Sequence, residues 1–357
     1  MLSFDFFRKS ARRLTLVAAV ALCLASCGRE PDKPSQSAFS NGVFILNEGL
    51  LHQNNSTLSF YDLDKKTLTY DVFTSVNKRG LGDIGNDLQR YGSRLYCVVN
   101  NSNIVEVMDA ATAKSLKTIS LPGKQPRHIA FLGGKAYISC FDGDVVKIDT
   151  ATCGIEGMLH TGPNPDGICA CNGKLYVANS GGLNTHNYGN TVSVVDPGSF
   201  TVTKDITVEI NPTRIRNHGN DYIYVVSNGN YSTVPFTLQK INCHTDKLEK
   251  TFDIEALNIA IHGEKAYIYS YNYSTQESWI KVMNLATEEL ETESFITDGT
   301  KIKTPYMIEV NPSSGDVWIS DVGNYTANGD VYCFDRNGRK KLSFEAGLCP
   351  SSICFMK

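Results

Sequence analysis

From residue 42 onward one short pattern returns at intervals in the forties, and this recurrence limits the possible folds more than any other feature of the sequence. A Gly-x-x-Tyr element runs from Gly92 to Tyr96, Gly134 to Tyr137, Gly173 to Tyr176, Gly219 to Tyr224 and Gly263 to Tyr267, and Gly315 to Trp318 is its tryptophan form. Apolar runs ending in Asp or Asn accompany it. Their ends, Asp62, Asp109, Asp149, Asp196, Asn242, Asn284 and Asp335, fall 40 to 51 residues apart. Pro126, Pro165, Pro212, Pro305 and Pro350 each precede a further run. Short alternating runs parted by Gly, Asn, Asp and Pro are strands and turns, and no long helical period interrupts them.

Four short strands per unit of about 45 residues predict blades of an all-β propeller. A blade cannot bury both faces alone, so the repeats must form one ring. Residues 42–357 divide into seven such units. The ends support seven. Ser351 to Met356 reads as an inner strand with nothing after it, and Gly42 to Asn47 as a second strand with no inner strand before it. Residues 57–62 and 67–73 supply the other two strands of a blade shared by both ends. Such closure removes open sheet edges. The other blades are expected at about 84–126, 127–165, 166–212, 213–256, 257–305 and 306–350. Six or eight blades are the alternatives, and an open solenoid would leave the complementary ends a coincidence.

The N-terminus reads as an export signal over residues 1–26, with Arg8, Lys9, Arg12 and Arg13 ahead of the apolar run Leu14 to Ala25. That run is too short for a relaxed membrane span. It ends in Leu-Ala-Ser-Cys, which resembles a lipobox and implies lipid on Cys27 as the only membrane anchor. Residues 27–41 are polar, contain Pro31 and Pro34, and read as a tether. Glu30 and Asp32 resemble the acidic flank that directs Bacteroidetes lipoproteins to the cell surface. Removing the signal takes away Asp5 and the four basic residues, a net +3, so the formal charge moves from −3 to −6. An acidic chain without a basic block argues against nucleic acid as a partner.

In a propeller the connections between second and third strands share a face with those leading into the inner strands. Here the former are long: Glu48 to Thr57, Asn179 to Thr191, Ser227 to Thr237, Ser270 to Ser278 and Asp321 to Asp330. Long loops on one face of a rigid scaffold are where binding concentrates. They are rich in Asn and Tyr, suited to a large neutral ligand with many amides or hydroxyls. Candidate binding residues on these loops are Asn179, His186, Tyr188, Asn228, Tyr231, Tyr271, Tyr273 and Tyr325, with the tyrosines expected in loops rather than strands, and Asn101 and Phe141 are further candidates outside them. A second set leads into the inner strands and should ring the channel mouth: Asn86, Asp87, Arg127, His128, Asp166, Arg214, Asn258, Tyr306, Ser351 and Ser352. Its charged members either orient a ligand or pair with one another across the channel.

No H-x-x-E, H-x-H or G-x-S-x-G motif is present, and neither catalytic residues nor a metal site is expected. A propeller hydrolase or lactonase built on His128, Asp166 and Arg127 is the catalytic alternative. Nine cysteines remain beyond Cys23 and Cys27, an odd number without regular spacing and so a poor disulfide framework. Cys169 and Cys171 fall on one side of a strand and read as buried packing.

Gly-Val-Phe-Ile-Leu-Asn-Glu-Gly at 42–49, directly after a lipoprotein-like tether, resembles the start of Bacteroidetes surface-layer-type propellers. Gly134-Lys135-Ala136-Tyr137 and Val192 to Pro197 resemble the YVTN/YncE-like repeats. Over residues 27–357 the chain is most similar to the BtuG-type family of vitamin B12-binding surface lipoproteins. That resemblance implies capture of cobalamin or a related corrinoid, held as a ligand and not as a catalytic cofactor, and transfer to a BtuB-like TonB-dependent transporter in the outer membrane. An oligosaccharide-binding lipoprotein and a structural envelope or adhesion protein are the alternatives.

Overall fold

A computed structural model describes residues 39–356, so the expected signal, the lipidated Cys27 and most of the tether lie outside the described residues. Among the described residues no helix is long and apolar enough to cross a membrane. The chain forms seven four-stranded antiparallel sheets. In chain order, blades 1 to 6 span Gly85–Ser120, Pro126–His160, Pro165–Thr207, Pro212–Phe252, Asn258–Thr292 and Pro305–Leu348. In blade 7 the order is Pro350–Phe355, Gly42–Asn47, Thr57–Asp62 and Thr67–Thr69. The two ends therefore pair in one blade, Phe44 opposite Cys354 and Ile45 opposite Ile353.

The repeated residues now acquire physical roles. Tyr96, Tyr137, Tyr176, Tyr224 and Trp318, with Phe44 in blade 7, are among the largest fully buried side chains and fill the space between blades. The Asp or Asn closing each third strand caps the hairpin to the fourth. Asp149 accepts from the Ala151 and Thr152 amides at 3.0 and 2.7 Å, and Asn284 from Ala286 and Thr287 at 2.9 and 3.1 Å. Side-chain turns of this kind explain why only Asp and Asn recur there. Proline opens five inner strands because a strand's first residue needs no ladder donor.

Two expectations need correction. The outer strand of blade 7 stops at Thr69 rather than 73, and a short helix, Val72–Asn77, follows. Asp71 starts it by accepting from the Thr74 amide at 3.2 Å, and Val72 and Phe73 are buried beneath it. The tether ends before residue 41, since the Phe39 ring packs on Phe44 and Phe60 at 5.2 and 4.7 Å.

Inner strands converge closely around the channel. A Cβ on Gly167 would lie 2.8 Å from the Thr213 carbonyl of blade 4, so only glycine lets blades 3 and 4 meet there. Nine thiols among the described residues are buried and free, and Cys169, Cys171 and Cys243 share one core.

Candidate functional site

Six blades carry a register shift near the start of the inner strand. It falls between Gly85 and Asp87, Pro126 and Ile129, Pro165 and Ile168, Pro212 and Arg214, Pro305 and Ile308, and at Pro350 to Ser352 in blade 7. The residues bypassed include Asn86, Arg127, His128, Asp166, Thr213, Tyr306 and Ser351. Bulges re-aim side chains, and here they point toward the channel. Serines on second strands hold the irregular backbone. Ser139 Oγ accepts from the His128 amide at 3.1 Å and donates to the Asp166 carbonyl, while Ser320 Oγ accepts from the Met307 amide at 2.9 Å and donates to the Pro350 carbonyl at 2.7 Å.

The channel encloses about 690 Å³, and Asn86, Asp87, Arg127, His128, Arg214 and Tyr306 line it together with Glu48. Its charged residues pair across blades. Arg127 donates Nε to Asp166 at 3.2 Å and Nη1 to Asn86 at 3.0 Å, and stacks on Phe141 at 4.4 Å. Arg214 Nη1 donates to His128 Nε2 at 2.7 Å, a nitrogen that also lies 3.3 Å from Asp166, and His128 Nδ1 lies 3.4 Å from Asp87. Asp87 also accepts from the Ile129 amide at 3.0 Å. Burial alone would raise Asp166, but Arg127, His128 and Arg214 outweigh it and hold the carboxyl well below the usual range. Burial raises Glu48 above its ordinary value, although Tyr306 donates to it. Burial, then Glu48, pushes the Tyr306 hydroxyl well up.

Above this floor, toward blades 4 to 6, the mouth opens into a recess of about 220 Å³. Arg127, Asp166, Arg214, Asn228, Tyr231, Tyr271, Tyr273, Tyr306 and Tyr325 line it. The rings form edge-to-face pairs: Tyr231 with Tyr273 at 6.1 Å, Tyr271 with Tyr273 at 5.0 Å, and Tyr306 with Tyr325 at 5.8 Å. Tyr231, Tyr273 and Tyr325 are 52, 54 and 37% exposed, and they cluster at this one place. Asn228 donates to the Tyr231 hydroxyl at 3.1 Å.

Five candidates lie elsewhere. Asn179 is fully buried and donates to Thr191 and Ser193 at 3.0 and 2.8 Å, serving the blade interior. Asn101 donates to Asp83 at 2.7 Å. Phe141 supports Arg127, and the loop with His186 and Tyr188 stands outside the recess. One loop is shorter than expected, because its strands run on to Asn272 and resume at Glu277, so Tyr271 belongs to a strand. Sequence reading missed Tyr269 and Glu48. Tyr269 alternates with Tyr271 and Tyr273 and lines the same recess, its hydroxyl pushed up to about 12, chiefly by burial. Glu48 meets Tyr306 across 258 residues of chain, a contact no local pattern reveals. Among the described residues no group of three or more His, Cys, Asp or Glu side chains is placed to hold a metal ion.

Residues 41–351 match the family described as "Domain of unknown function (DUF5074)". No curated protein matches the chain. Solved structures that share the fold include the following two. A quinoprotein alcohol dehydrogenase-like protein from Bacteroides thetaiotaomicron superposes with a TM-score of 0.66 at 18% identity, over 89% of this chain and 79% of that one. Kuenenia stuttgartiensis hydrazine synthase does so with a TM-score of 0.64 at 15% identity, over 76% of this chain and 89% of that one. At such identities the likeness concerns the fold, and chemistry must be argued from the site.

Proposed function

We propose, for a chain that belongs to the DUF5074 family, that it is a capture protein whose ligand settles on the tyrosine wall at the channel mouth. The observation that carries this reading is the cluster of exposed rings over a floor of paired charges. Exposed tyrosines offer flat apolar faces and hydroxyls at little ordering cost, and strands or short loops hold the rings before any ligand arrives. A corrinoid fits the chemistry. It is broad and flat, so it lies across the wall, and its rim of amides meets the tyrosine hydroxyls, Asn228 and Asn258. Capture followed by transfer to a TonB-dependent outer-membrane transporter, from a lipid anchor on Cys27, joins this site to the export-like N-terminus.

Heat of binding on titrating the purified full-length chain with cyanocobalamin tests the reading. A tight one-to-one isotherm is expected, weakened by Tyr273→Ala or Tyr231→Ala. A folded protein that gives no heat with either cyanocobalamin or dicyanocobinamide refutes it.

A second reading, a hydrolase or lactonase, has one observation in its favour: His128 lies 3.4 Å from Asp87 and 3.3 Å from Asp166. Against it, the Arg214 N–H occupies the His128 Nε2 lone pair that a general base would use. Hydrolysis of a chromogenic lactone that disappears in His128→Gln would establish this alternative.

A further inference from the structure

The two arginines at the mouth differ in a way the capture reading does not use. Arg127 is committed: two edges of its guanidinium meet Asp166 and Asn86, and its face lies on Phe141. Among the described residues Arg214 makes one hydrogen bond, Nη1 to His128, although a guanidinium carries five N–H donors. Its nearest carboxylate oxygen, on Asp166, is 3.7 Å away and already holds Arg127. The Arg214 side chain is 27% exposed, and it lines both the channel and the tyrosine-walled recess. The recess therefore has a flat aromatic wall and, at its base, a cation with spare donors and access to solvent. Planar guanidinium forks match oxyanions.

We infer that Arg214 selects ligands that combine a flat face for the tyrosines with a singly charged oxyanion, a phosphodiester or a carboxylate, at the ring's edge. The inference rests on the capture reading and adds a specificity to it. Among corrinoids, cyanocobalamin carries a phosphodiester in its nucleotide arm and dicyanocobinamide lacks that arm.

The test titrates the full-length wild type, Arg214→Met and Arg214→Lys with both corrinoids, checking each variant's fold by circular dichroism and melting. The expected result is that the wild type prefers cyanocobalamin by roughly 10- to 100-fold, the size of a charge-assisted contact. Arg214→Met loses that preference and still binds dicyanocobinamide, and Arg214→Lys keeps part of it. Equal preferences in wild type and Arg214→Met overturn the role of Arg214 and leave corrinoid capture standing. If the wild type binds neither corrinoid, the capture ligand is wrong. Arg214 is then decided by titrating dimethyl phosphate and acetate against its Nε–H signal, identified by its loss in Arg214→Met. A saturable shift with either anion, the stronger naming the oxyanion class, supports the inference, and no shift with both overturns it.

Discussion

Replacing Asp166 with asparagine should destabilise the ring out of proportion to the change in size. Asp166 is 4% exposed and lies within 3.7 Å of both arginines of the mouth, accepting from Arg127 Nε at 3.2 Å. Asparagine keeps the shape and removes the charge, leaving the Arg127 and Arg214 guanidinium groups without their nearest carboxylate. Breaking a buried pair from one side costs about 3–5 kcal/mol, because the remaining charge stays desolvated. With an unfolding entropy of about 2.1 cal/mol/K per residue over a domain of roughly 320 residues, the melting temperature should fall by about 4–8 °C. Scanning calorimetry of wild type, Asp166→Asn and the double variant Asp166→Asn/Arg127→Met provides the readout. The double variant should recover part of the loss, since it removes the stranded cation. The sign with pH follows from the depressed carboxyl. Asp166 contributes stability above the unfolded value near 3.8 and loses it as the pH falls toward the lower folded value, so the wild type and Asp166→Asn should converge on acidification. A shift below about 1 °C at neutral pH, or a double variant less stable than Asp166→Asn, would refute the reasoning.

Three other expectations concern different parts of the molecule. Glu48 has its folded value raised above 4.5 by burial, so its protonated form adds stability at acid pH that is lost as the pH rises from 4.5 through the folded value. Glu48→Gln should then match the wild type near pH 4 and exceed it at pH 8 in denaturant melts. Deleting residues 350–357 removes the inner strand of blade 7 and leaves Gly42–Asn47 with an open edge, and light scattering should show aggregation at concentrations where the whole chain stays dispersed. Tyr273→Ala removes a ring that touches Tyr231 and Tyr271, so melting should fall by a few degrees at most, and calorimetric titration should show corrinoid affinity lower by about 3- to 10-fold, in line with ~0.5–1.5 kcal/mol for one lost ring–ligand contact; an unaltered affinity would place the ligand elsewhere.

The repeat by itself determined the ring. Each recurring residue answers a local demand that any blade makes: a ring to fill the gap to its neighbour, as with Tyr137 and Trp318; a side-chain cap for a tight hairpin, as with Asp149; a strand start without an amide donor, as with Pro165. Complementary ends then left one way to close the sheet, and Phe44 does lie opposite Cys354. Membership of the channel mouth was also legible, since Arg127, Asp166, Arg214 and Tyr306 open their inner strands. What those residues do there was not. Whether a side chain points into the channel depends on a bulge of one or two residues, and nothing in the alternation marks where a strand skips a partner. Which charges pair depends on contacts between blades far apart in sequence: His128 with Arg214 across 86 positions, Glu48 with Tyr306 across 258. Closing the ring brings those groups together. Only then is one arginine held by Asp166, Asn86 and Phe141, while the other is left with free donors beneath a wall of tyrosines.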